Sequence, residues 1–134
     1  MRLGRKVPQA AVVPFRTSDA GEVEVLLIRR RRDGGWGIPK GVIDPGHTAL
    51  EAAAIEALEE AGVEGELLPR TIGSFEYPKF GRTCRVEVFG LRVTCVHEHY
   101  EEERLRERRW FPLADAVRKA KRPGVGAVIA RIIT

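Results

Sequence analysis

Three glutamates near the middle of the chain have the spacing of a metal site carried by a helix. Glu56, Glu59 and Glu60 lie three, one and four positions apart, so an α-helix would bring their carboxylates to one face. Like charges at these spacings repel one another and mildly destabilise an isolated helix. A hard divalent cation such as Mg²⁺ prefers carboxylate oxygens and would offset that repulsion. The alternative is an acidic helix face that is simply solvated.

The surrounding residues predict the helix that carries these glutamates. We expect it to span residues 50–61, with Thr48 as the N-cap and Glu51 completing a capping box. Gly62 follows the last helical residue, where a left-handed conformation favours glycine. We expect the apolar positions to face the core and to point away from the glutamates. These positions are Leu50, Ala54, Ala57, Leu58 and Ala61.

Residues 41–63 resemble the signature of the Nudix hydrolase family, G-x5-E-x7-R-E-U-x-E-E-x-G-U, in which U is a bulky apolar residue. Two positions depart from it: His47 stands where the family has its first glutamate, and Ile55 stands where it has arginine. In the family these two positions assist or orient the metal ligands. The positions that match the signature are Gly41, Glu56, Glu59, Glu60, Gly62 and Val63.

His47 is open to two interpretations. It follows Pro45 and Gly46 and directly precedes the predicted N-cap, which is typical of a solvated turn residue. An imidazole titrates near neutrality, so His47 could instead serve as an assisting proton carrier.

The resemblance implies both a metal site and a reaction. The matched glutamates would hold Mg²⁺, or Mn²⁺ as the alternative ion, and would be the catalytic residues: Glu56, Glu59 and Glu60. The carbonyl of Lys40, just before the signature, would add a metal ligand. Members of the family hydrolyse phosphoanhydrides by attack of water on phosphorus, assisted by the metal. An acidic residue outside the signature often completes the site, and four glutamates stay open for that role: Glu98, Glu101, Glu102 and Glu103.

Two segments outside the signature indicate the substrate class. GSFEY (residues 73–77) and RERRWFPLADAV (residues 106–117) are similar to the diadenosine and diphosphoinositol polyphosphate hydrolase branch. The resemblance therefore implies a phosphate-rich substrate, and basic side chains bind phosphate oxygens. We predict Lys40, Arg82 and Arg85 as substrate-binding residues. Pro78 leaves an ADP-ribose pyrophosphatase as an alternative, and the two departures leave a non-catalytic Nudix-fold binding module.

Composition limits the remaining function classes. The 134 residues are 43% hydrophobic and 31% charged, as expected for one globular domain. The net charge of +4 favours anionic partners, whether phosphorylated metabolites or nucleic acid. We expect no nucleic-acid partner because no nucleic-acid-binding motif accompanies the basic runs. Cys84 and Cys95 lack CxxC spacing, so we expect neither a disulfide framework nor a zinc site. His97, Glu98 and His99 are interpreted as ordinary surface residues.

The cellular setting is a further expectation from the sequence. No apolar run reaches membrane-spanning length, and the first nine residues lack a signal-peptide core. We therefore expect a cytoplasmic protein without a membrane partner, and the oligomeric state stays open.

Hydrophobic periodicity predicts an α+β (mixed α/β) domain over residues 1–134. We expect strands at 9–15, 22–30, 66–75, 83–96 and 109–111, and further helices at 112–120 and 126–133. We interpret residues 75–82 as a loop with exposed aromatics. Pro14 indicates an edge position or a bulge, and Gly90 indicates a bulge or a bend. The resemblance implies the same layers, a mixed sheet sandwiched between helices.

Overall fold

The computed structural model describes residues 6–133, which form six strands, three α-helices and a short 3-10 helix. The strands are β1 (Val7–Thr17), β2 (Val23–Arg30), β3 (Lys40–Val42), β4 (Val63–Lys79), β5 (Arg82–Val96) and β6 (Arg106–Pro112). The helices are α1 (Ala49–Ala61), α2 (Leu113–Lys119), α3 (Val125–Ile129) and the 3-10 helix Ala130–Ile133. Over this described range, no helix has the length and apolar character needed to cross a bilayer.

The strands form one mixed sheet with β1 near its centre. The order is β4-β5-β1-β2-β6, and β3 pairs with β1 beside β2. β1 and β5 run parallel, whereas the other neighbouring pairs are antiparallel. One face of the sheet packs against α1 and the other against α2 and α3. The structure confirms the predicted mixed α/β sandwich.

Helix α1 begins and ends as its sequence predicts. Thr48 accepts a hydrogen bond from the backbone N–H of Glu51, and the Glu51 carboxylate accepts one from the N–H of Thr48. Gly62 takes a left-handed conformation with φ 67°, which glycine adopts without steric cost. These caps satisfy backbone groups that would otherwise lack partners at the helix ends.

The predicted core face of α1 is right only in part: Ala57 and Ala61 are buried and Leu50 packs against the same cluster, but the other two predicted positions are not buried. Ala54 and Leu58 are exposed, whereas Ala53, Ala57 and Glu60 are buried against the sheet. The small alanine side chains let the helix backbone approach the strands closely. This close packing outweighs the gain from burying the larger side chain of Leu58. The glutamate face therefore turns toward the sheet edge instead of away from the core.

The predicted loop at residues 75–82 is also wrong. β4 continues to Lys79 and forms a hairpin with β5. Phe75 and Tyr77 are buried, and the Tyr77 hydroxyl donates a hydrogen bond to Gln9 Oε1 at 2.8 Å. Of the three aromatic residues in segment 75–82, Phe80 alone is exposed, at 92%. The alternation of buried aromatics with an outward glutamate was a strand pattern, and Pro78 is tolerated because β4 is an edge strand.

Pro14 and Gly90 have different roles in the sheet. Pro14 lies in β1, a central strand that pairs with β3 before Pro14 and with β2 after it. The backbone N–H that proline lacks is therefore missing at the point where the pairing changes from β3 to β2. The expected edge position is therefore wrong. The β4 register shifts between Leu67 and Thr71, opposite Gly90, which confirms the expected irregularity. A Cβ on Gly90 would lie 2.8 Å from Ile132 Cδ1.

Candidate active site

Glu60 ties the end of α1 to two strands. Its side chain is buried, with 7% of the residue exposed. Oε1 accepts a hydrogen bond from the backbone N–H of Lys40 at 3.0 Å, and Oε2 lies 3.4 Å from Nη2 of Arg106. These contacts fix the carboxylate between β3 and β6. The signature has an arginine, which this chain lacks, at the position of Ile55. Arg106 supplies a guanidinium contact to Glu60 from another part of the chain.

Glu56 lies against a glycine that gives it room. A Cβ built on Gly41 would be 2.4 Å from Glu56 Cδ and 2.5 Å from one of its oxygens. No side chain can occupy that space without moving the carboxylate. Gly41 is therefore required for the position of Glu56, one turn of helix before Glu60.

The three glutamates repel one another in a partly desolvated setting. Burial, followed by the charges of Glu60 and Glu59, raises the pKa of Glu56 to about 8. Burial also raises the pKa of Glu60, although Arg106 and the Lys40 N–H act in the opposite direction. Partial burial and nearby carboxylates raise the pKa of Glu59 as well. Each shift has the sign expected of a carboxylate cluster that lacks enough positive charge.

Two of the four glutamates considered outside the signature come near this cluster. Carboxylate oxygens of Glu101, Glu102 and Glu59 lie within 4.8 Å of one another. The backbone N–H of Glu102 donates a hydrogen bond to the carbonyl of Glu59 at 3.0 Å. The Glu102 carboxylate accepts a hydrogen bond from Arg106 Nε at 2.7 Å. The other two candidates both contact His99: exposed Glu98 lies 3.7 Å from its Nε2, and Glu103 lies 3.1 Å from its Nδ1.

The pKa of Glu56 gives a prediction for the metal-free protein. Its folded-state pKa of about 8 lies above the ordinary value of 4.5, so the folded state binds this proton more tightly than the unfolded state. The free energy of unfolding therefore decreases as the pH rises from 4.5 to about 8. In the presence of chelator, we expect the Tm of the wild-type protein to decrease as the pH rises over this range. The decrease in Tm should be smaller in Glu56→Gln. Calorimetry of both proteins tests this, with exposed Glu66→Gln as the control, and equal slopes in wild type and Glu56→Gln would contradict it.

A cleft of about 670 Å³ opens beside Glu60. Among the described residues that line it, Glu60 is the one carboxylate. Burial, together with the charge of Arg122, lowers the pKa of Lys40. The cations that line the cleft repel one another, and this repulsion favours an anionic ligand in the cleft. The basic residues of the lining are Arg29, Arg30, Lys40, Lys79, Arg106, Lys121 and Arg122.

Aromatic rings hold several of these cations in place. Arg122 lies over the Tyr77 ring at 4.0 Å from its centroid, and the Lys40 ammonium lies 4.8 Å from the same ring. Arg29 lies over Trp36 at 4.4 Å. Such contacts stabilise a cation by about 0.5–2 kcal/mol and restrict its position. The cleft therefore presents positioned positive charges.

The structure places the predicted substrate-binding residues in two regions. Lys40 lines the cleft, as does Pro78, whereas Arg82 and Arg85 are exposed on β5 and are not part of the lining. Arg85 instead forms an ion pair with Glu76 at 3.5 Å. The sequence analysis did not identify Lys121 and Arg122, which line the cleft, although the run KAKR (residues 119–122) is a basic segment that could have indicated them.

The two departures from the signature also have clear positions. His47 is exposed, and its backbone N–H donates to the carbonyl of Asp44 at 3.1 Å in a turn before α1. Ile55 is half-buried on the helix. The location of His47 agrees with a solvated turn residue.

Comparison with known proteins identifies the family. The family model described as NUDIX domain matches residues 6–132. Rat diphosphoinositol polyphosphate phosphohydrolase 2 is 37% identical over 112 residues, covering 82% of this chain and 60% of the relative. Nudix hydrolase 12 (mitochondrial) of Arabidopsis thaliana is 35% identical over 104 residues, covering 72% of this chain and 51% of the relative. The chain thus spans about half to three fifths of the length of these two relatives.

A solved structure agrees over nearly the full length. The crystal structure of a C. elegans Ap4A hydrolase binary complex superimposes with a TM-score of 0.69 and 26% identity, covering 95% of each chain. Together with the family match over residues 6–132, this superposition leads to one conclusion: this chain belongs to the NUDIX domain family.

Proposed function

We propose that this protein is a metal-dependent pyrophosphohydrolase that cleaves phosphoanhydride bonds in phosphate-rich metabolites. The observation that carries the proposal is a cluster of carboxylates with raised pKa values directly beside a cationic cleft. The cluster offers only hard oxygen donors, which suits Mg²⁺, with Mn²⁺ as the alternative ion. The proposed ligands are the carboxylates of Glu56, Glu59 and Glu60 and the carbonyl of Lys40.

The residues of the site have different roles in the proposed reaction. Bound metal would screen the phosphate charge and lower the pKa of the attacking water. Arg106 and the Lys40 N–H hold the Glu60 carboxylate in position. Glu101 and Glu102 are the proposed source of the base, since they lie beside Glu59. Arg122 and its neighbours in the cleft would bind phosphate oxygens.

The number of cations in the cleft supports a substrate with several phosphates. Hydrogen bonds to charged groups contribute about 1.5–3 kcal/mol each, so a ligand with four or more phosphates gains more from this lining than ADP-ribose with two. The rat relative is named for diphosphoinositol polyphosphates and the C. elegans neighbour for Ap4A. Both names agree with a dinucleoside polyphosphate or an inositol pyrophosphate as the substrate here.

Steady-state kinetics tests this substrate class. We expect kcat/KM to be higher for diadenosine polyphosphates or inositol pyrophosphates than for ADP-ribose. Arg122→Gln should lower kcat/KM for the preferred substrate by about tenfold or more, because a charged phosphate contact is lost. Arg85→Gln is the matched control, since Arg85 pairs with Glu76 outside the cleft. A higher kcat/KM for ADP-ribose than for every phosphate-rich compound would contradict the assignment.

Two other candidate functions each have an observation in their favour. Pro78 lines the cleft, which keeps ADP-ribose hydrolysis as the second substrate candidate. His47 and Ile55 replace signature residues, which favours a binding module without turnover. Metal-dependent product release in the same kinetic assay would exclude the binding module.

A further inference from the structure

Three side chains with different donor atoms converge on the outer edge of the sheet. Nε2 of His97 lies 2.6 Å from Glu64 Oε2 and 3.6 Å from Cys95 Sγ. One ligand atom from each of the three residues lies within 4.8 Å of the others. None of them belongs to the carboxylate cluster or to the cationic cleft.

The backbone of two paired strands holds these side chains together. Glu64 on β4 and Cys95 on β5 are direct partners in the antiparallel register, which places their Cβ atoms about 4.5–5.5 Å apart. His97 follows Cys95 by two residues and so leaves the strand on the same side. Its N–H donates to the Gly62 carbonyl at 2.8 Å, and its carbonyl accepts from Arg108 Nη2 at 2.6 Å. The ligand backbone is thus fixed on both sides of His97.

The distance between Cys95 Sγ and His97 Nε2 suits tetrahedral coordination of a borderline-soft ion. Bonds of about 2.3 Å to sulfur and about 2.0–2.1 Å to nitrogen at the tetrahedral angle separate the two donors by about 3.6 Å, which equals the observed Cys95–His97 distance. The same geometry needs about 3.4 Å between nitrogen and carboxylate oxygen. The exposed Glu64 side chain has to withdraw by less than about 1 Å to reach it.

We propose that Glu64, Cys95 and His97 form a second metal site, which binds Zn²⁺ or an ion of similar softness through one thiolate, one imidazole and one carboxylate. Thiolate and imidazole ligands select such ions over Mg²⁺. Solvent has access to the three side chains, so water fills the fourth position. The absence of CxxC spacing argued against zinc, but here the ligands come from two strands and only the sheet register brings them together.

Cobalt(II) is the probe, because it replaces zinc and reports its ligands by absorption. The whole protein is titrated in excess Mg²⁺, which competes with cobalt for the carboxylate cluster, and cobalt bound there has no thiolate ligand and so gives no charge-transfer band. We expect a thiolate-to-cobalt charge-transfer band and the d–d bands of a tetrahedral site, saturating at stoichiometric cobalt and reversed by Zn²⁺. Metal uptake should release the Cys95 thiol proton.

Single substitutions distinguish this site from other thiol or carboxylate sites. Cys95→Ser should abolish the charge-transfer band, and His97→Ala or Glu64→Gln should weaken cobalt affinity by about tenfold or more. His99→Ala and Glu66→Gln are matched controls on the same loop and strand, and both should retain wild-type affinity. Absence of the band in wild type, its persistence in Cys95→Ser, or unchanged affinity in His97→Ala would each overturn the proposal.

Discussion

Glu59→Gln and Glu60→Gln are each expected to lower kcat by about 10²–10³-fold or more, the usual cost of removing one well-placed electrostatic contact from an active site. Glutamine keeps the size of the side chain and removes the charge that would face the metal. In Glu60→Gln, the side-chain carbonyl oxygen can still accept the hydrogen bond that the backbone N–H of Lys40 donates to Glu60. Folding should be preserved, and Tm should stay the same or rise because repulsion within the cluster is relieved.

Turnover and Tm are measured together on the same preparations. Glu66→Gln is the control, since it makes the same chemical change at an exposed position on β4. Turnover within about threefold of wild type in both active-site variants would contradict the role of these glutamates as metal ligands, given the much larger loss expected of such contacts.

Gly41→Ala is expected to have a comparable effect on activity with little effect on stability. The new Cβ would lie 2.4 Å from Glu56 Cδ, so the carboxylate has to move. It is the far end of a flexible side chain and can do so without disturbing the sheet. Misplacing a group by about 1 Å in an active site can cost about 10²-fold in rate, and Mg²⁺ affinity should fall as well.

A second glycine provides the control for Gly41→Ala. A Cβ on Gly37 meets nothing within 4 Å, so Gly37→Ala should leave Mg²⁺ affinity unchanged. Calorimetric titration of Mg²⁺ into both variants makes the comparison. Wild-type Mg²⁺ affinity and turnover in Gly41→Ala would show that Glu56 does not act from the position seen here.

The capped helix and its carboxylates could be predicted because their signals are local. Thr48, Glu51 and Gly62 lie within a few residues of the backbone groups that they satisfy. The buried face of α1 could not be predicted in the same way, because several alanines fit more than one arc. Tertiary packing chose the arc that lets the helix approach the sheet, and with it the inward position of Glu60.

The surroundings of the site depend on contacts between distant parts of the chain. Arg106 reaches Glu60 from 46 positions away, and Arg122 reaches Tyr77 from the segment after α2. Basic residues are frequent in this chain, so composition alone could not select those that line the cleft. Arg82 and Arg85 were equally reasonable until the hairpin register placed Arg85 beside Glu76.

Hydrolysis with and without metal, by wild type and Glu60→Gln in parallel, tests the proposed metal-dependent hydrolase most directly. Metal is first stripped with chelator, and phosphate and nucleotide release is then followed over dinucleoside polyphosphates, inositol pyrophosphates and ADP-ribose. We expect no turnover by the stripped enzyme, recovery on adding Mg²⁺ or Mn²⁺, and at least about a 10²-fold loss in Glu60→Gln under the same conditions. Equal turnover in chelator and in Mg²⁺, or no metal-dependent turnover of any compound by folded wild-type protein, would contradict the account.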